Sequence, residues 1–286
     1  MYLGVAGACA EQKANATDTS YTLSGLTFGG TADAGTEALV ELLNSPDRMI
    51  LTTEPGSGEK LKAYTFDDSS LPSFATVQEE ISENGKNPRG NCFGNAGQYL
   101  YVVRQATPYL IRYTLSPAYD VGTSSPATQT RSTSLGAAQG IAFKDDGSVA
   151  YVITSTAVTI LNMSVNWDIT TVTSTSSASL GGTDDDGDTI SSYTGIRFKP
   201  DGTKVFVSYR ANNNPKVAEY ALSTPWDLST KSFTSSINIS SNIGLLNATD
   251  NAYIAGLDWN SDGSKLFVCS IHIDFATSQT KVAMYS

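Results

Sequence analysis

The stretch GIRFKPDGTKVFVSYR, residues 195–210, decides the fold. It holds two short runs in which apolar and polar residues alternate, and Pro-Asp-Gly separates the runs. Alternation with a period of two is typical of β-strands, and Asp-Gly supplies the positive φ that a tight hairpin turn requires. The stretch therefore predicts a β-hairpin.

Copies of this hairpin recur along the chain. The close copies are GNCFGNAGQYLYVVR at 90–104, GIAFKDDGSVAYVIT at 140–154 and GLDWNSDGSKLFVCS at 256–270. A looser copy opens with GLTF at 25–28, and its turn is expanded by an insertion over 29–47. Within that insertion the segment ELLNS, residues 41–45, is expected to form one short helical turn. The hairpin is therefore a repeating unit.

A second repeated block follows each hairpin. Its copies are YTLSPAYDVGT at 113–123, LNMSVNWDITT at 161–171 and YALSTPWDLST at 220–230. Each unit thus predicts a hairpin, a third strand, a turn with an aromatic residue and an aspartate, and a fourth strand. Four antiparallel strands in roughly 50–60 residues are the signature of a β-propeller blade.

The repeat predicts one all-β domain over residues 1–286, a propeller of five blades. The chain ends on the third strand of its last blade, so the N-terminal segment 2–12 is expected to add the missing fourth strand and to close the ring without an exposed edge. The predicted blades cover approximately 25–81, 89–135, 139–181, 194–240, and 255–286 together with 2–12.

Several repeated side chains are predicted to be structural. Tyr119, Trp167 and Trp226 recur at one position of the second block, where a large ring can plug the turn and the aspartate after it can accept backbone N–H groups. Arg197 and Asp258 occupy equivalent positions on neighbouring first strands. We expect them to meet near the central channel as an ion pair, since buried charges require partners.

The sharpest chemical feature is the loop GGTDDDGDT, residues 181–189. Asp184, Asp186 and Asp188 alternate around Gly187, and oxygen ligands at every second position with a glycine for the bend suit Ca²⁺. The distal glutamate of an EF-hand is missing, and the alternative is a solvated acidic loop. Calcium is the one cofactor that the sequence suggests.

The composition narrows the classes of function. A net charge of -10 over 286 residues does not attract nucleic acid or an anionic membrane, and no apolar run is long enough for a membrane span. The start MYLGVAGACAEQ does not have the form of a cleaved signal peptide. Three isolated cysteines predict free thiols. The single histidine, His272, is expected in a loop, and no nucleophile–base pair is evident, so a non-enzymatic protein is predicted.

The repeat F-x-x-D-G-x-x-[LV]-[FY]-V, followed by Y-x-L-S-x-P-W-D-L-S-T, resembles the β-propeller repeats of marine bacteriophage and bacterial surface proteins, and more distantly the YVTN and NHL propellers. The resemblance implies a virion structural protein of a tail, fibre or capsid decoration. Such a protein is expected in several copies, in contact with other virion proteins and with a glycan of the host surface. The matching positions are scaffold, so no binding residue carries over.

Two alternatives stay open. One is a bacterial extracellular or cell-surface propeller that binds glycan or protein. The other is a calcium-dependent, lactonase-like hydrolase, in which carboxylates from several loops would converge at the mouth of the channel.

Overall fold

The computed structural model of the chain describes residues 40–43, 48–53, 60–65, 77–82, 88–123, 127–133, 135–212, 214–239, 251–259, 266–273 and 278–285. Within these ranges the chain forms nineteen β-strands and two short 3-10 helices, at Val121–Thr123 and Leu228–Thr230. No helix in this part of the chain is long and apolar enough to cross a membrane.

The strands form five antiparallel sheets, and each sheet is built from strands that are consecutive in the chain. The first sheet contains β1 (Val40–Leu43), β2 (Arg48–Thr53), β3 (Lys60–Thr65) and β4 (Val77–Ser82). The second contains β5 (Pro88–Gly94), β6 (Tyr99–Arg104), β7 (Leu110–Thr114) and β8 (Gln129–Arg131).

The third sheet contains β9 (Ala138–Phe143), β10 (Val149–Thr154), β11 (Val158–Met163) and β12 (Val172–Ala178). The fourth contains β13 (Tyr193–Phe198), β14 (Lys204–Ala211), β15 (Asn214–Leu222) and β16 (Lys231–Asn238). The fifth contains, among the described residues, β17 (Asn251–Trp259), β18 (Leu266–Ile273) and β19 (Ser278–Tyr285). The four close copies of the hairpin are therefore confirmed as the first two strands of the second to fifth sheets.

The first strands of neighbouring sheets line a common centre. Strand β9 contacts β5 and β13, and β17 contacts β13 and β1. The opening glycines of the second and third sheets permit this approach, because a Cβ on Gly90 would lie 2.5 Å from the Cα of Gly140, and one on Gly140 would lie 3.2 Å from the Cα of Gly195. Four-stranded antiparallel sheets that meet along their first strands form a β-propeller, as the sequence predicts.

Two local predictions are wrong, because strands occupy segments where a turn and a loop are expected. A helical turn is expected at 41–45, but strand β1 takes up this segment as far as Leu43. Strand β1 pairs with β2 from Val40↔Leu51 to Leu43↔Arg48. His272 lies within strand β18 and not in a loop, and its Cα partner is Ala252. The segments 25–28 and 2–12 lie outside the described residues, so the five-bladed count and closure by the N-terminal strand stay predictions.

The aromatic residue of the second block packs against the hairpin turn of its own sheet. Tyr119, Trp167 and Trp226 have φ between 66° and 67°, a left-handed conformation that costs such residues about 1–2 kcal/mol. This conformational cost is offset by packing, because each ring lies on the glycine of the hairpin turn. A Cβ on Gly147 would lie 2.2 Å from the Trp167 ring, and one on Gly202 would lie 2.1 Å from Nε1 of Trp226. The glycine therefore serves two needs, the positive φ of the turn and the space for the ring.

The aspartate after the ring fastens the turn. The Oδ1 atom of Asp168 accepts the backbone N–H of Thr170 at 2.9 Å, and that of Asp227 accepts the N–H of Ser229 at 2.9 Å. The structural role predicted for the aromatic and acidic positions is confirmed.

The same turns also join neighbouring sheets. The hydroxyl of Tyr101 in the second sheet donates to the carbonyl of Trp167 at 2.5 Å, and Tyr151 in the third sheet donates to the carbonyl of Trp226 at 2.5 Å. The Tyr151 ring packs on Phe198 of the fourth sheet with centroids 4.5 Å apart. The Tyr101 ring likewise packs on Phe143 of the third sheet with centroids 4.3 Å apart. Each tyrosine thus links its sheet to the next by a hydrogen bond and by ring packing.

Substitution of Tyr151 by phenylalanine is expected to lower the free energy of unfolding by about 1 kcal/mol, because one buried hydrogen bond is lost while the ring contact stays. Phe206 occupies the equivalent position of the fourth sheet, so the site accepts a phenylalanine ring. Urea unfolding of the variant against the parent measures the change. A loss of unfolding free energy above about 3 kcal/mol would show that the hydroxyl contributes more than one hydrogen bond.

Candidate functional site

The Asp-rich loop connects β12 of the third sheet to β13 of the fourth. An isolated bridge between Thr183 and Thr189 closes its base. Inside it, Oδ1 of Asp184 accepts the backbone N–H groups of Asp186 at 3.0 Å and Asp188 at 2.8 Å. The loop is therefore wrapped around the carboxylate of Asp184, which is buried.

A lysine ammonium group lies at the centre of the loop. Lys216 of β15 places Nζ 2.8 Å from Oδ2 of Asp184, 2.8 Å from Oδ2 of Asp186 and 2.7 Å from Oδ2 of Asp188. The side chains of Lys216 and Asp184 are 1% and 0% exposed, while that of Asp186 is 62% exposed. One buried cation thus holds one buried carboxylate and two that reach towards solvent.

A tyrosine completes the buried part of the cluster. Tyr209 of β14 is the direct cross-strand neighbour of Lys216, and its hydroxyl donates to Oδ2 of Asp184 at 2.6 Å. Asp184 therefore accepts two backbone N–H groups, one hydroxyl and one ammonium. All the strong hydrogen-bonding positions of this carboxylate are used.

These contacts move the pKa values of Asp184, Lys216 and Tyr209 further from neutral pH. Burial alone would raise the pKa of Asp184, but the hydrogen bonds from Lys216, Tyr209 and the Asp188 backbone outweigh it and lower that pKa to about 2. Burial alone would lower the pKa of Lys216, but its three carboxylate partners raise it above the ordinary value. Burial, and then the bond to Asp184, raise the pKa of Tyr209. None of these three groups can serve as an acid or a base near pH 7.

Further contacts fasten the loop to the edge of the fourth sheet. Oδ2 of Asp185 accepts the backbone N–H of Ser236 in β16 at 2.6 Å. Oδ1 of Asp188 accepts a hydrogen bond from the Asn212 amide at 2.5 Å. The loop is therefore bound to β14, β15 and β16 and is not a free acidic segment.

The three predicted metal ligands come together. One carboxylate oxygen from each of Asp184, Asp186 and Asp188 lies within 4.8 Å of the others, a grouping of the kind that can hold a metal ion. The Lys216 ammonium touches the same three carboxylates. Calcium therefore stays a prediction for this loop, and any calcium ion would have to compete with a cation that belongs to the chain.

The predicted ion pair near the channel is confirmed. Nε of Arg197 lies 3.4 Å from Oδ1 of Asp258, and the two side chains are 4% and 2% exposed. The Arg197 guanidinium also donates to the carbonyl of Asn91 at 2.9 Å and to that of Ile141. One arginine therefore links first strands of the second, third, fourth and fifth sheets, a structural role.

The sequence prediction missed Lys216 and Tyr209. Lys216 lies in the strand segment NPKVAEYAL, between the buried residues Pro215 and Val217. A lysine within a buried strand requires a partner, and that requirement is the signal that could have pointed to the acidic loop.

Comparisons with known proteins give likenesses of fold. No protein-family model matches the chain, and no curated protein matches its sequence. A solved nidogen/laminin complex is similar at a TM-score of 0.50 and 14% identity, over 82% of this chain and 77% of that one.

Two further solved structures are similar at lower scores. The periplasmic gluconolactonase PpgL of Pseudomonas aeruginosa has a TM-score of 0.47 and 11% identity over 87% of this chain and 72% of that one. The Swd1 β-propeller domain of Myceliophteria thermophila has a TM-score of 0.44 and 11% identity over 90% and 74%. At such identities the likeness concerns the fold.

The expectation of a non-enzymatic virion structural protein is corrected. Solved structures similar to this chain include proteins named as gluconolactonase and 6-phosphogluconolactonase, which are enzymes, and no family model supports a phage repeat. The repeat that suggested a phage protein is the propeller scaffold itself, and propellers of unrelated function share that scaffold.

Proposed function

We propose that this chain is a glycan-binding propeller, and that the Asp-rich loop is part of its recognition surface. The observation that carries the proposal is the state of Asp186. Its carboxylate is 62% exposed and yet is held at 2.8 Å by the buried ammonium of Lys216. A polar group that is exposed and already fixed loses little conformational freedom when a ligand binds.

The chemistry of the loop suits a neutral oligosaccharide. Three carboxylates share one ammonium, so the cluster keeps two negative charges, and Asp185 beside it adds another. Carboxylates and the nearby Asn212 amide can pair with neighbouring hydroxyl groups, while an anionic ligand would be repelled. An extracellular or cell-surface location agrees with such a ligand and stays a prediction.

The same cluster supports binding better than catalysis. Its tyrosine, lysine and buried aspartate have pKa values far from neutral pH, so they are fixed in one protonation state. We therefore propose that this surface binds a ligand, and that these three groups take no part in proton transfer.

The test begins with an array of neutral and acidic oligosaccharides, and the strongest binder is then titrated by calorimetry. Asp186→Asn is expected to weaken binding by about tenfold, the equivalent of 1.4 kcal/mol, because an acceptor for ligand hydroxyls is lost. Lys204→Met is the matched control, since Lys204 pairs with Glu219 in the same sheet and lies outside the loop.

Two results would refute the proposal. One is the absence of any glycan that binds the parent protein; the other is binding that Asp186→Asn leaves unchanged. Glucono-δ-lactone is offered to the same preparations, and hydrolysis by the parent protein that Asp186→Asn abolishes would overturn the assignment of this loop to binding alone.

A further inference from the structure

The outer strand of a sheet presents a row of backbone N–H and C=O groups that have no neighbouring strand. In the fourth sheet the Asp-rich loop caps part of this row, since Oδ2 of Asp185 accepts the backbone N–H of Ser236 in β16 at 2.6 Å. The N–H of Ser236 therefore points away from β15, towards the outside of the sheet. This contact identifies which residues of an outer strand have outward-facing backbone groups.

Strand β12, the outer strand of the third sheet, presents the same row. Ser177 holds the position of Ser236 in the repeat, because their Cα partners, Thr159 and Ala218, are equivalent residues of the third strands. The N–H and C=O groups of Ser177 therefore point outward as well. Outward-facing and inward-facing residues alternate along a strand, so the backbone groups of Thr175 also point outward.

The outer row of β12 is open to solvent. All residues from Thr173 to Ser177 are exposed. The loop before the third sheet, residues 132–137, corresponds to the Asp-rich loop but contains no acidic residue that could cap the strand. Among the described residues, the third sheet therefore has an uncapped edge where the fourth sheet has a capped one.

Charge distinguishes β12 from the other outer strands that the structure describes. Strand β4 carries Glu79 and Glu80, β8 carries Arg131 and β16 carries Lys231, and charged residues on an edge strand discourage pairing with another chain. The sequence VTSTSSA of β12 has no charged residue, and the strands β9, β10 and β11 of the same sheet have none either. In a chain of net charge -10, an uncharged edge is a place where two copies can meet with little repulsion.

We propose that β12 is an interface at which two copies of this chain pair their strands antiparallel, about a two-fold axis that passes by Ser176. In this register Thr175 of one copy lies opposite Ser177 of the other, and the two residues exchange both backbone hydrogen bonds, as in a regular antiparallel ladder. The axis generates this pair twice, so four backbone hydrogen bonds join the copies. A strand that pairs with itself about a two-fold axis closes the assembly as a dimer. The interface is separate from the Asp-rich loop and does not depend on a ligand there.

The first test is a disulfide across the proposed axis, in the full chain. Ser176 would face its own copy in a pair without backbone hydrogen bonds, where the Cα atoms lie about 4.5 Å apart, within the range of a disulfide. Ser176→Cys is therefore expected to form a covalent dimer on mild oxidation, as measured by intact mass without reductant. Ser232→Cys is the matched control, since Ser232 is an exposed serine of the outer strand β16. No covalent dimer of Ser176→Cys, or an equal yield from both variants, contradicts the proposal.

The second test measures self-association of the unlabelled protein by sedimentation velocity over a series of concentrations. The parent protein is expected to pass from monomer to dimer as its concentration rises. Thr175→Pro is expected to weaken the dimer about tenfold or more, because proline has no N–H and each dimer then loses two hydrogen bonds. The lost N–H points away from β11, so the sheet itself is expected to tolerate the proline. A parent protein that stays monomeric, or a folded Thr175→Pro that dimerises as the parent does, contradicts the interface.

A pair of charge variants tests the same register without proline. Ser176→Lys and Ser176→Glu each place like charges opposite one another in the proposed dimer, so each variant alone is expected to dimerise less than the parent protein. An equimolar mixture of the two places opposite charges at the axis and is expected to recover dimers. A mixture that associates no more than either variant alone would overturn the pairing about Ser176.

Discussion

Gly202→Ala is expected to lower the free energy of unfolding by about 3–5 kcal/mol, as large as truncation of a buried aromatic side chain. The added Cβ would lie 2.1 Å from Nε1 of Trp226, so the ring has to leave its position. That ring packs on Phe198 at 4.9 Å, and its backbone carbonyl accepts the hydrogen bond from Tyr151 of the third sheet. Displacement of Trp226 therefore loosens the fourth sheet and its junction with the third.

The matched control is Gly187→Ala. Gly187 has a φ of 85°, close to the 70° of Gly202, but a Cβ there meets nothing within 4 Å. Its cost is expected to be that of the backbone alone, about 1–2 kcal/mol. Chemical denaturation of both variants separates the cost of the left-handed backbone from the cost of displacing the Trp226 ring. Equal losses of unfolding free energy in the two variants would show that the Trp226 ring does not need the space left by the absence of a Cβ at Gly202.

Lys216→Met is expected to lower the free energy of unfolding by about 3 kcal/mol at neutral pH, since removal of one partner leaves a buried carboxylate without compensation. Asp184 is the carboxylate concerned, because it is 0% exposed, while Asp186 and Asp188 reach solvent. Added Ca²⁺ is expected to restore part of the loss, because the three carboxylates then lack a cation. The parent protein is expected to show no comparable response.

The stability difference between the parent protein and Lys216→Met is expected to depend on pH in a definite direction. In the parent protein the pKa of Asp184 is lowered to about 2, so its stabilisation is present above the unfolded value near 3.8 and is lost as the pH falls towards 2. In Lys216→Met the same carboxyl is buried beside two others, so its pKa rises and acid stabilises the folded variant. The difference between the two proteins is expected to shrink as the pH falls from 7 to 3, as followed by thermal unfolding. A constant difference would mean that Lys216 acts through packing.

Much of the fold could be predicted because the repeat is local. The hairpin turns, the aromatic turns and the alternation of strands are fixed by residues near one another in the sequence, and the structure places them as expected. Even the contact between Arg197 and Asp258 could be predicted, since equivalent positions on first strands face a common centre. The strand at Val40–Leu43 could not, because pairing with β2 overrides the helical tendency of a short leucine-rich segment.

The candidate site was only half predictable. The three aspartates could be grouped from their spacing, but their partner Lys216 lies 28 residues after Asp188 in the sequence. Spacing alone therefore suggests an ion, and it does not reveal that an ammonium group of the chain contacts the same carboxylates. The function could be predicted least. The repeated residues belong to the scaffold. A residue that occurs in one sheet only, such as Asn91, cannot be interpreted by comparison with the other copies of the repeat.

The most direct test of the account is amide hydrogen exchange of the parent protein with EDTA and again with Ca²⁺. If Lys216 organises the Asp-rich loop, the backbone N–H groups of Asp186, Gly187 and Asp188 are protected to the same degree under both conditions, since their acceptors on Asp184 are in place without a metal. Protection of these amides only with Ca²⁺ would contradict the account and would make the loop a calcium site.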